Sequence, residues 1–134
     1  MPHPFVVELH VPDFESAIVF YGMLGFTVAR RDDRYLVLER QGYILCFNEG
    51  SDAVYNQSYF RKFDRQTKRG YAVEIVIPVD DVRALYDAVK DKMNIITPLE
   101  KKHWGLWDFR VEDPFGFYLR ITEPPDWRTS QPTE

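Results

Sequence analysis

Phe5-Val-Val-Glu-Leu-His-Val-Pro-Asp-Phe-Glu-Ser-Ala-Ile-Val-Phe-Tyr-Gly-Met-Leu-Gly25 reads as a strand, a sharp turn and a helix. Val7, Leu9 and Val11 fall on one face of residues 5–11, and Val6, Glu8 and His10 on the other, which is the period of a half-buried strand. Pro12 and Asp13 end it. Asp13 suits the N-cap of a helix over about 14–24, and Glu15 and Ser16 suit its first turn. Ala17, Ile18, Phe20, Tyr21 and Leu24 recur at helical spacing, and Gly25 stands where a left-handed C-cap is wanted.

Outward from this stretch the pattern continues and then restarts. Strands are predicted over Phe26–Arg31, Tyr35–Glu39 and Tyr43–Asn48, with turns at Asp32-Asp33-Arg34 and Gln41-Gly42. Residues 50–70 are polar and basic with interleaved aromatics, and read as a linker with at most a short helical turn. A new strand follows over Val73–Val79. Asp80 or Asp81 then caps a helix over about 81–92, whose apolar stripe is Val82, Leu85, Tyr86 and Val89. Further strands are predicted near 94–98, 106–112 and 117–122. Adding 68 to Leu9, Val11 and Asp13 lands on Ile77, Val79 and Asp81; adding 74 to Gly42, Leu45, Phe47 and Glu49 lands on Gly116, Leu119, Ile121 and Glu123. Self-similarity of this kind is an architectural signal. The expected fold is α+β: one domain of two βαβββ modules, at about 5–49 and 71–123, joined by the linker and followed by a tail over 124–134 without regular structure. Each module places one helix on one face of a four-stranded sheet. The other faces are expected to be concave and to line a cleft between the modules, a natural ligand position.

Composition bounds the class. The 134 residues suffice for one domain, and 45% hydrophobic with 28% charged residues fits a packed core under a polar surface. No apolar run approaches the roughly 18–20 residues of a membrane span, and the N-terminus lacks a secretory pattern. The single cysteine, Cys46, cannot form an internal disulfide, which fits a reducing, cytoplasmic setting. A net charge of −4 with both signs interspersed argues against a nucleic-acid partner. Aromatic content is high at 16%, and aromatics often line small-molecule pockets.

Two segments carry a resemblance. Leu9-His-Val-Pro-Asp-Phe-Glu-Ser-Ala-Ile-Val-Phe-Tyr-Gly-Met-Leu-Gly-Phe26 resembles the first strand–helix signature of the vicinal oxygen chelate superfamily, which includes glyoxalase I, extradiol dioxygenases and bleomycin resistance proteins. Asp113-Pro-Phe-Gly-Phe-Tyr-Leu-Arg120 is similar to its final Asp-Pro-Asp-Gly-Asn hairpin, with Phe115 for Asp and Phe117 for Asn. The resemblance spans roughly residues 5–123 and implies the glyoxalase/bleomycin resistance fold. It also implies metal ligands on inward faces of the first and last strands of each module, at positions held here by Val6, Cys46, Glu74 and Arg120. Val cannot ligate and Arg is a cation, whereas divalent ions want carboxylate and imidazole. No metal and no cofactor are therefore expected. A Glu74–Arg120 ion pair is expected in the place of the metal, because a buried carboxylate is costly unless paired.

Candidate ligand-binding residues are Glu8, His10, Glu74, Trp104, Trp107 and Arg120. Glu8 and His10 are read either as rim residues or as contacts to a polar or cationic ligand. Residues 100–107 are read either as an exposed basic loop or, the reading favoured, as a pocket lip on which at least one of Trp104 and Trp107 stacks on a flat guest. Tyr55, Tyr59, Phe60 and Phe63 either cover the cleft or pack a dimer. His3 is expected in a frayed terminus, and Cys46 as a core filler. No catalytic residue is assigned. The reading favoured is a metal-free binding protein similar to bleomycin resistance proteins, holding an aromatic or cationic compound in a drug-sequestration role. The alternative is a metal-dependent glyoxalase-like lyase/isomerase or dioxygenase, and a third reading gives the cleft to self-assembly. A homodimer is expected, because sheet edges would otherwise stay exposed.

Overall fold

The computed structural model describes residues 5–50 and 52–127. His3 and the whole of the tail beyond Trp127 lie outside the described residues. The described residues fall into two compact units that divide between Thr67 and Lys68, and each is a four-stranded mixed sheet.

In the first unit, β1 (Glu8–Val11), α1 (Phe14–Met23), β2 (Thr27–Arg31), β3 (Tyr35–Arg40) and β4 (Tyr43–Glu49) follow one another. The sheet order is β1-β4-β3-β2, with β1 and β4 parallel and the other pairs antiparallel. A parallel return needs a crossover, and α1 is part of it. Asp13 starts the helix as read from the sequence: its Oδ1 accepts the Ser16 backbone N–H at 2.7 Å. Phe14, Ala17, Phe20 and Tyr21 bury one side of α1 against Leu9, Val11, Leu36, Leu38, Leu45 and Phe47. Tyr21 centres this core, with its ring 5.0, 5.5 and 5.8 Å from those of Phe20, Phe47 and Phe26. Gly25 has φ +95°, and a Cβ there would meet Arg40 Nε at 2.9 Å. That same Nε donates to the Leu24 carbonyl at the helix end, so the site takes glycine on conformation and on space.

The first strand is shorter than the alternation suggested. Phe5, Val6 and Val7 are exposed and lie outside β1. Alternation alone cannot supply a strand where no apolar face is buried to hold it. Residues 50–70 contain a short helix, α2 (Asp52–Tyr55), and a 3-10 turn at Phe60–Lys62.

The second unit repeats the plan with β5 (Glu74–Pro78), α3 (Val82–Val89), β6 (Asn94–Lys101), β7 (Trp107–Glu112) and β8 (Tyr118–Thr122). Its order is β5-β8-β7-β6, and β5 and β8 are parallel. Asp81 caps α3, its Oδ1 accepting from Ala84 N at 3.0 Å. The helix stops at Val89, short of the residue 92 expected, and residues 90–93 form a turn. Val82 and Val89 are buried beneath it, and Tyr86 packs on Phe109 at 5.1 Å between ring centroids. Asp113 orders the last hairpin, its Oδ1 accepting from Phe115 N and Phe117 N at 2.9 and 2.8 Å.

Along β7, Phe109 and Val111 join the apolar core, while Asp108 and Arg110 lie on the opposite face. Arg110 Nε and Nη2 donate to Asp108 Oδ1 and Oδ2 at 3.1 and 3.3 Å. Both residues are buried, with Asp108 wholly inaccessible.

Two predictions follow from these contacts. Asp108→Ala leaves a buried guanidinium without its principal partner, and chemical denaturation should register a loss of about 3–5 kcal/mol. Asp13→Ala removes a helix cap and should cost about 1 kcal/mol by the same measurement. Equal losses in the two variants would contradict this ranking.

Candidate functional site

The face of each sheet turned away from its helix carries the polar side chains. In the first unit that face presents Glu8 and His10 from β1, Tyr35 from β3, and Cys46 and Asn48 from β4, with Glu8 opposite Cys46 and Tyr35 opposite Asn48 in register. Glu8 is held at both oxygens: Tyr35 Oη donates to Oε2 at 2.7 Å, and Asn48 Nδ2 donates to Oε1 at 2.9 Å. These bonds favour the carboxylate, so the Glu8 carboxyl is held below its usual range, with His10 adding a smaller push in the same direction. The Tyr35 phenol is pushed strongly upward by Cys46 beside it, by burial and by Glu8. Cys46 itself is a buried free thiol. His10 packs on Phe60 with ring centroids 5.4 Å apart, so the segment after β4 returns over this face through the 3-10 turn. Tyr59 stacks against Phe60 and Phe63 in turn.

In the second unit the corresponding face brings Glu74 from β5, Asp108 and Arg110 from β7, and Tyr118 and Arg120 from β8 together. Arg120 Nε lies 2.9 Å from Glu74 Oε2, a close ion pair whose N–H is not aligned for a hydrogen bond. Arg110 Nη1 approaches Glu74 Oε1 at 3.8 Å and donates to Tyr118 Oη at 3.0 Å. The Glu74–Arg120 pair expected from the sequence is therefore present, and it belongs to a larger cluster of two guanidinium and two carboxylate groups. Trp104, in the turn between β6 and β7, lies under Arg120, whose Cζ is 5.8 Å from the ring. Its Nε1 is buried with no acceptor among the described residues.

Trp107 does not join this group. As the first residue of β7 it shares the helix-facing side with Phe109 and Val111, and it lies under Arg83 of α3 at 5.0 Å. It lines a separate cavity of about 200 Å³ with Asp80, Asp81, Val82, Arg83, Leu99 and Glu123. The two tryptophans expected to supply a lip between them are thus separated: Trp107 follows the strand period to the helix side, while Trp104 lies in the turn before the strand begins. Val6, the expected first inward position, stands outside β1.

The residues at the four family ligand positions do not fit a divalent cation. Val6 has no donor atom, Cys46 is buried beside a tyrosine, and Glu74 is engaged by two guanidinium groups that would repel a metal ion. Among the described residues no group of three or more His, Cys, Asp or Glu side chains could hold a metal ion.

Sequence reasoning missed Tyr35, Asn48, Asp108 and Arg110. The signal for the last two was available: Trp107-Asp-Phe-Arg-Val-Glu112 alternates apolar and charged residues, which puts both charges on one face. Tyr35 and Asn48 needed the β3–β4 register.

Comparison with known proteins agrees with this architecture. The model of the Glyoxalase/Bleomycin resistance protein/Dioxygenase superfamily matches residues 3–121. No curated protein matches significantly. Among solved structures, a protein of unknown function from Agrobacterium tumefaciens is 22% identical with a TM-score of 0.76, covering 93% of this chain and 97% of its own. A bleomycin resistance determinant encoded on the transposon Tn5 is 22% identical with a TM-score of 0.67, covering 93% and 100%. A bleomycin-binding protein complexed with bleomycin is 21% identical with a TM-score of 0.62, covering 92% and 100%. At these identities the structural likeness speaks to the fold. With most of its length matched by the family model and both units folded as the fold requires, the chain belongs to the Glyoxalase/Bleomycin resistance protein/Dioxygenase superfamily.

Proposed function

We propose that this protein binds an aromatic or cationic small molecule without a metal ion, in the manner of a sequestering protein. The observation that carries the reading is the Glu74–Arg120 ion pair, backed by Arg110, at the positions where metal-dependent relatives are expected to gather ligands. An ion pair there supplies recognition and offers no Lewis acid. Glu8 supplies a second element. Its carboxylate is fixed by Tyr35 and Asn48 and kept ionised, as an acceptor for a cationic group needs. Trp104 adds an aromatic surface, and the fold hosts a bleomycin-binding protein among similar structures. The protein is read as cytoplasmic and as a homodimer; among the described residues no helix is long and apolar enough to cross a membrane.

Elemental analysis of purified protein, combined with thermal shift against bleomycin and simple aromatic cations such as benzylamine, tests this directly. Melting temperature should rise with ligand concentration, and metal content should be far below one ion per chain. Stoichiometric zinc, nickel, iron or manganese would instead support a lyase or dioxygenase. Glu8→Gln should weaken binding of benzylamine severalfold while leaving the fold intact.

Glu8 also sets a pH dependence. A carboxyl whose folded pKa lies below its unfolded value near 4.5 contributes stability above that value and loses it as pH falls through the folded pKa. The stability gap between the native chain and Glu8→Gln should be constant from about pH 7 to pH 5 and shrink below about pH 4.5. Denaturant midpoints across that range measure it, and a gap that widens in acid would contradict the sign.

A further inference from the structure

We propose that the face of the second sheet turned away from α3 recognises a carboxylate on the ligand, with Arg120 and the indole N–H of Trp104 as the donors. This rests on the small-molecule-binding reading and adds the chemical class of the group recognised.

Arg120 is 8% exposed, and its guanidinium carries five N–H donors in a fixed fork. Among the described residues its polar partner is Glu74, and even that contact is a close approach at 2.9 Å rather than an aligned hydrogen bond. Trp104 Nε1 is likewise buried with no acceptor, on the ring that the guanidinium covers. Buried donors are satisfied in nearly all native structures, so a Trp104 N–H without an acceptor, beside a guanidinium that holds its carboxylate by close approach alone, points to an acceptor that arrives from outside the chain. A carboxylate has the shape and charge to meet a guanidinium fork and still accept from an indole N–H.

The neighbouring charges allow the exchange. Arg110 is already neutralised by two bonds to Asp108, and its Nη1 lies 3.8 Å from Glu74 Oε1. An incoming carboxylate that takes Arg120 therefore leaves Glu74 beside a second guanidinium. Glu74 thus acts as a resident carboxylate that the ligand displaces from Arg120. The arrangement discriminates against ligands bearing only a neutral ester, which cannot replace the charge that Arg120 loses.

Isothermal titration of the full chain with benzoate, phenylacetate, methyl benzoate and benzylamine tests this. The two carboxylates should bind at least about tenfold more tightly than the ester, the margin expected for a charge-assisted bidentate contact. Trp104→Phe keeps the ring and removes the N–H, and should weaken the carboxylates about three- to tenfold without moving the ester. Arg120→Gln should abolish the preference. Glu74→Gln should strengthen carboxylate binding, because the internal competitor has lost its charge; a purely structural role for the pair predicts no gain. If Arg120→Gln fails to fold, the other two variants decide. Carboxylates that bind no better than the ester, or unaltered binding in Trp104→Phe together with no gain in Glu74→Gln, would overturn the inference. Binding of benzylamine or bleomycin without any carboxylate preference would remove this inference alone; no binding by any probe would remove the small-molecule reading with it.

Discussion

Each sheet has one helix, and the helix covers one face. That constraint organises the rest of the molecule. The parallel pairing of first and last strands, β1 with β4 and β5 with β8, requires a crossover, and α1 and α3 belong to those crossovers. Once the helix has taken the apolar residues of alternate positions, strand geometry turns the intervening residues to the other face. Whatever chemistry the protein performs must therefore be written in the intervening residues, because the others are committed to packing.

The two units use that second face differently. In the second, the carboxylate Glu74 stands at the start of the first strand and meets Arg120 of the parallel partner, with Asp108 and Arg110 completing a buried network. In the first, position 6 is a valine outside the strand. The carboxylate appears two residues later as Glu8, where a tyrosine and an asparagine hold it instead of an arginine. One module thus offers a charge-balanced cluster beside an indole N–H without an acceptor among the described residues, and the other an ionised carboxylate held by two neutral donors. Duplication has kept the backbone plan while the polar faces diverged. This is the pattern expected when core residues are fixed by packing and the opposite face is free to follow a ligand.

Burial of the second network also explains why it is demanding. Two guanidinium groups and two carboxylates taken from water are favourable only with close pairing. Asp108 and Arg110 achieve this through two bonds between residues two apart on one strand. Arg120 does so less completely, and the shortfall is what gives that position a capacity for an external partner.

The fold was legible in the sequence because its signals are local and repeated: the Asp13 and Asp81 caps and the alternating strands each follow from the nearest few residues, and the same order recurs at offsets of 68 and 74. The Glu74–Arg120 pair was legible too, through the resemblance, which implies inward positions for both on the first and last strands of the second module. The start of β1 at Glu8, the separation of Trp107 from Trp104, and the clasp of Tyr35 and Asn48 on Glu8 were settled by tertiary structure. Each depends on which strand lies alongside which, and at what register, and a linear period carries no information about a neighbour brought close only by folding.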